Sequence, residues 1–111
     1  MIIPNTIKET HEKIKSGEIT VRALVDFFLK NIEEKNPSIN AYIEVYSDID
    51  EQVKNAEKMF EDGIATLMTG IPVSLKDNML FLGHKASSGS KILENYTSTY
   101  NATVIEILKN A

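Results

Sequence analysis

Val21, Leu24, Val25, Phe28, Leu29 and Ile32 fall at i, i+3, i+4, i+7, i+8 and i+11. No other stretch narrows the fold so far. The spacing lays one broad apolar stripe along a helix of 3.6 residues per turn, and such a stripe must bury against a second element. Thr20 stands where an N-cap is wanted. Asn36-Pro37 reads as the stop, because the residue before a proline is pushed out of the helical region. A shorter helix is expected before it, over about Thr6 to Ser16, with Ile7 and Ile14 on one face and Gly17 suited to a left-handed end. His11 on that helix reads as solvent-facing. A third helix is predicted from a cap at Asp48 or Ser47 to about Asp62, closed by Gly63. Ile49, Val53, Ala56 and Phe60 share its apolar face, and Glu51 and Asn55 lie toward water. A last helix, capped by Asn101, carries Val104, Ile105 and Leu108 to Ala111 with no Gly or Pro to end it. A helix with no stop signal reads as an interrupted element.

Two segments between the helices have strand character. Ala41-Tyr42-Ile43-Glu44-Val45-Tyr46 is rich in β-branched and aromatic residues, and Ile71-Pro72-Val73-Ser74-Leu75 resembles a buried strand. Helices interleaved with strands predict an α/β fold. At 111 residues the chain has the length of one small domain. It has no cysteine, which excludes disulfides and thiolate metal sites, and its two histidines are far apart in sequence. The formal charge of −4 argues against a general grip on nucleic-acid phosphates. No segment is apolar enough to span a bilayer, and residues 1–5 lack the basic start and apolar core of a signal peptide, so a cytoplasmic location is expected.

Chemistry concentrates after Gly70. Lys76-Asp77-Asn78 follows directly on an apolar strand, where α/β proteins often place functional groups. A lysine there can be desolvated, which favours its neutral amine and lets it act as a base toward a serine. A lone lysine is more often a surface residue paired with Asp77 or another carboxylate. Ser87, Ser88 and Ser90 lack the Gly-x-x-x-x-Gly-Lys-Ser/Thr and Gly-x-Ser-x-Gly spacings and read as a solvated loop ahead of a short helical turn over 91–95. His84, just after Gly83, reads as a satisfied loop imidazole.

The block Gly70-Ile71-Pro72-Val73-Ser74-Leu75-Lys76-Asp77-Asn78, then Gly83, then Ser90-Lys91-Ile92-Leu93-Glu94-Asn95-Tyr96, then Tyr100-Asn101-Ala102-Thr103-Val104-Ile105, resembles the amidase signature family. The last two runs are most similar to its tRNA-dependent amidotransferase A subunits. Asn40-Ala41-Tyr42 and the Gly-x-Ile-Thr entry to the second helix fit the same group. The resemblance implies one large α/β domain with helices on a mixed central sheet. Residues 1–37 would supply leading helices, and residues 38–111 would begin the core with the strand that ends in Lys76.

In that family a Ser–cis-Ser–Lys triad hydrolyses an amide. The resemblance implies that Lys76 is the triad's base and that glutamine is the ammonia donor. The ammonia would convert glutamyl-tRNA(Gln) or aspartyl-tRNA(Asn). The B and C subunits of the amidotransferase would be partners, and ATP with Mg would be used in the B subunit. No cofactor, metal or membrane is implied for this chain itself. Both triad serines lie in a Gly/Ser-rich segment that normally follows the last helix; it is absent here, and Ser87, Ser88 and Ser90 do not match it. The 111 residues alone are therefore expected to be inactive. Without the neighbouring strands, the Lys76 strand is expected to expose its edges and loosen or aggregate. Two other readings stay open: a piece of another amidase-signature hydrolase, and a non-catalytic binding module that docks through its helices.

Overall fold

The structure is a computed structural model that describes residues 2–111. The chain divides into two compact units, residues 1–72 and 73–111. Four helices appear in order: α1 Ile7–Lys15, α2 Val21–Ile39, α3 Ile49–Glu61 and α4 Thr103–Asn110.

The first unit holds α1 to α3. Thr6 caps α1, its Oγ1 accepting from Glu9 N at 3.1 Å, and Thr20 caps α2 in the same way through Ala23 N at 3.0 Å. α1 and α3 end alike. Gly17 and Gly63 take positive φ, and the amides of Glu18 and Ile64 reach back to the carbonyls of Lys13 and Met59, each at 3.0 Å. This closes the last-turn carbonyls that a helix leaves open. Asp48 stands at the α3 N-cap, but its carboxylate accepts from the Gln52 side chain at 3.1 Å and not from a helix amide.

Ile14, Ile19, Val21, Leu24 and Val53 form the core, with Val25, Ile49, Ala56 and Phe60 packed on it. The N-terminal half of the α2 stripe is therefore the buried half. Phe28, farther along, is 39% exposed. Glu57 of α3 accepts from Arg22 N at 3.2 Å, filling an open amide at the start of α2. Arg22 in turn reaches Asp50 at 2.8 Å and Asp26 at 3.4 Å. Gly70 sits against this core with φ +76°, and a Cβ there would lie 2.7 Å from Val21 Cγ2. Both the backbone conformation and the close approach require glycine.

Several expectations are corrected by the structure. Asn36-Pro37 does not stop α2, which runs on to Ile39 and ends at Asn40 in the left-handed region. Pro37 is exposed and lies in the final turn, where the loss of one backbone donor costs the helix little. Asn36 then fastens the exit. Its side chain donates to Tyr42 O at 2.9 Å and accepts from Tyr42 N at 2.8 Å.

His11 does not face solvent freely. Its ring packs on Phe60 with centroids 5.4 Å apart, and its Nδ1 is buried without a hydrogen-bond partner among the described residues. Finally, no strand forms among the described residues, so the mixed sheet is not seen. Residues 41–46 leave Ile43 67% exposed, and residues 71–75 leave Val73 52% exposed. A strand exists only through a partner ladder, and neither segment has one. Among the described residues, Lys85 and Thr97 make one isolated antiparallel bridge.

The second unit is a set of turns closed by α4. Ile105 of α4 is buried, whereas Val104 and Ile107 are exposed. Asn101 is not the α4 cap; Ala102 holds that place. The Asn101 side chain accepts from Leu82 N at 2.7 Å and donates to Glu106 Oε1 at 2.6 Å, so it ties the helix entry to the turn before Gly83. Residues 91–96 form successive turns, with Leu93 N on Ser90 O at 3.1 Å and Tyr96 N on Leu93 O at 2.9 Å.

Candidate active site

Lys76 lies at the end of an extended segment and opens a turn, its carbonyl accepting from Met79 N at 2.9 Å. The side chain is exposed, as expected of a surface lysine, and not desolvated as a base would require. It is not paired either. None of the ion pairs among the described residues includes it, and Asp77 faces elsewhere.

Asp77 is the best-bonded side chain of this unit, and sequence reasoning assigned it nothing beyond pairing with Lys76. Its Oδ1 accepts from Ser87 N at 3.0 Å. Its Oδ2 accepts from the Ser87 hydroxyl and from Gly89 N, the latter at 3.0 Å. Its main-chain carbonyl accepts from Ser88 N at 3.0 Å. Ser88 has φ +51° and Gly89 φ +67°, so two consecutive left-handed residues fold the loop around the carboxylate. For Ser88 that conformation is unfavourable in isolation, and the bonds to Asp77 hold it. Ser87 is 5% exposed, which corrects the reading of a solvated serine loop. The available signal was an Asp followed ten positions later by Ser-Ser-Gly, a short acceptor and a small-residue turn able to meet it.

The Ser87 hydroxyl, and then the backbone amides of Ser87 and Gly89, hold the Asp77 carboxyl below the usual carboxylate range. Lys85 adds to this, and partial burial opposes it. Because the folded value is depressed, the clamp's stabilisation is complete above the unfolded aspartate value of about 3.9 and is lost as pH falls through the lower folded value. Hydrogen exchange corrected for intrinsic rates is expected to show Ser88 and Gly89 amides protected down to about pH 4 and released below it. Release centred above that point would contradict the clamp.

His84 stacks on Phe81 at 4.0 Å, and its Nδ1 lies 3.0 Å from Leu82 O, which agrees with a satisfied loop imidazole. Ser98 is buried and its hydroxyl has no partner among the described residues, while its backbone bonds both ways to 83–84. No group of three or more His, Cys, Asp or Glu able to hold a metal ion occurs among the described residues. No helix among them is long and apolar enough to cross a membrane.

A free lysine on a clamped turn after Gly-Ile-Pro-Val-Ser-Leu is the arrangement to compare with known proteins. The sequence model of the Amidase family matches residues 23–111, and the chain belongs to that family. Its curated relatives include proteins named as the A subunit of glutamyl-tRNA(Gln) amidotransferase. That of Thermoanaerobacter pseudethanolicus is 39% identical over 104 residues, covering 93% of this chain and 21% of the relative. That of Lactobacillus johnsonii is 41% identical over 105 residues, 95% of this chain and 21% of the relative. That of Fusobacterium nucleatum is 37% identical over 112 residues, 94% and 22%. The chain thus spans about a fifth of the length of the curated relatives it matches.

Proposed function

We propose that these residues form the leading part of an amidotransferase A subunit, the one that releases ammonia from glutamine for tRNA-dependent amidation. The observation that carries this is the match to relatives of that name over more than nine-tenths of the chain. Those names favour this reading over an amide hydrolase of another branch.

Lys76 is the base of a Ser–cis-Ser–Lys triad whose two serines belong to residues beyond these. Its neutral amine takes the proton of the bridging serine, which takes that of the nucleophile. The nucleophile's oxygen attacks the glutamine side-chain carbonyl, the C–N bond breaks, and ammonia leaves with a proton returned along the same relay. Water then cleaves the acyl-enzyme to glutamate. No carboxylate partner holds the proton on the amine, and the desolvation that favours its neutral form is left to residues beyond these, since Lys76 is exposed here.

Activation of the misacylated tRNA with ATP and Mg belongs to the B subunit, and the C subunit is the third member. The amides of Ser87, Ser88 and Gly89, which could hold a phosphate, are spent on Asp77.

The test is reconstitution. The 111 residues extended through the downstream serine segment, and purified with the B and C subunits, are expected to convert glutamyl-tRNA(Gln) with glutamine as donor. The 111 residues alone are expected to release no ammonia. Turnover by the short chain that disappears in Lys76→Ala, or an extended chain that cleaves simple amides with no tRNA-dependent transfer, would sink the proposal.

A further inference from the structure

Lys76 and Asp77 are adjacent, oppositely charged and unpaired with each other, which needs a reason. Asp77 is the acidic residue that adjoins Lys76 in sequence. Here the carboxylate is already taken up by Ser87 N, the Ser87 hydroxyl and Gly89 N, and the Asp77 carbonyl by Ser88 N. The same residue therefore has both its side chain and its main chain fastened to one loop. The next turn begins at Lys76 itself, through Met79 N. The backbone that carries the lysine is thus held from the residue that follows it, and the amine is left alone.

We propose that Asp77 is a positioning residue for the Lys76 base: clamped by Ser87, Ser88 and Gly89, it anchors the turn that carries the lysine and is kept from pairing with the amine. This rests on the reading of Lys76 given above and deepens it. Two requirements of a lysine base are met by one device. Its geometry is set by a short, rigid connection, and proton transfer needs placement within hydrogen-bond reach. Its proton is not held by a neighbouring carboxylate, although one is next in sequence.

Asp77→Asn keeps the shape but turns one acceptor into an NH2 group that meets the donors of the loop. In the complete enzyme it is expected to lower kcat for glutamine hydrolysis by about 100-fold, the usual cost of a misplacement near 1 Å, with KM unchanged within about 2-fold. Ser87→Ala is expected to lower kcat less. The double variant should be no worse than Asp77→Asn, because both act through one contact.

A second measurement, hydrogen exchange on the complete enzyme, reads the clamp without activity. Asp77→Asn is expected to release the Ser88 and Gly89 amides. Protection of both amides kept in Asp77→Asn would overturn the proposal. Unchanged kcat in Asp77→Asn, or strictly additive losses in the double variant, would overturn it too. Full activity in Lys76→Ala is a separate result that removes the base assignment, and this proposal with it.

Discussion

Lys76→Ala in the complete protein is expected, on the proposed reading of Lys76 as a triad base, to lower kcat for glutamine hydrolysis by about 1,000-fold or more, as loss of a triad member does elsewhere. That is about 4 kcal/mol of transition-state stabilisation. The loss is a clean one to measure because the side chain does nothing for the fold. It is exposed and makes no hydrogen bond or ion pair among the described residues. Its removal should therefore leave the unfolding free energy from urea titration within about 0.5 kcal/mol of wild type. No other base in this unit stands in for it. His84 is stacked on Phe81 with its Nδ1 at Leu82 O. Lys76→Arg is expected to be as inactive as alanine, since a guanidinium stays protonated and cannot accept the serine proton. Activity in the arginine variant would mean that position 76 contributes charge and not proton transfer.

Leu24→Ala is expected to destabilise the first unit by about 2–5 kcal/mol, the range for deleting a fully buried leucine. Leu24 is 1% exposed and lies in one cluster with Ile14, Ile19, Val21 and Val53. The loss combines the transfer of the removed atoms with the cavity left between α1, α2 and α3. It is a large share of what so short a stretch can command, since whole domains are stable by only about 5–15 kcal/mol. Urea unfolding followed by helical circular dichroism measures it. Phe28→Ala on the same stripe should cost less, because Phe28 is already 39% exposed. An equal cost at both positions would refute the burial pattern along α2.

The helices were legible because their signals are local. A cap bonds three residues on, as Thr6 and Thr20 do, and a glycine closes the turn that precedes it, as Gly17 and Gly63 do. Where a local signal failed, a contact outside the usual window decided. Pro37 was expected to end α2, but the clasp from Asn36 to Tyr42 and the left-handed Asn40 place the end three residues later. Asn101 had the side chain of a cap and used it on Leu82 instead. The segments 41–46 and 71–75 had the composition of strands, and composition cannot supply the ladder that makes one.

The candidate site divides the same way. Lys76 was found from the motif around it, and the family followed from residues that lie in short runs. By itself the sequence determined where the helices form, that these residues supply no thiol, and that a lysine after an apolar segment is the group to watch. Only the tertiary structure decided that this lysine is exposed and unpaired, that Ser87 is buried, and that Asp77 belongs to the 87–89 loop and not to its neighbour. The reason is range. Helix caps join residues three or four apart, which spacing reveals, whereas the Asp77 clamp joins residues ten to twelve apart through a turn whose left-handed geometry exists only once the chain has folded around the carboxylate.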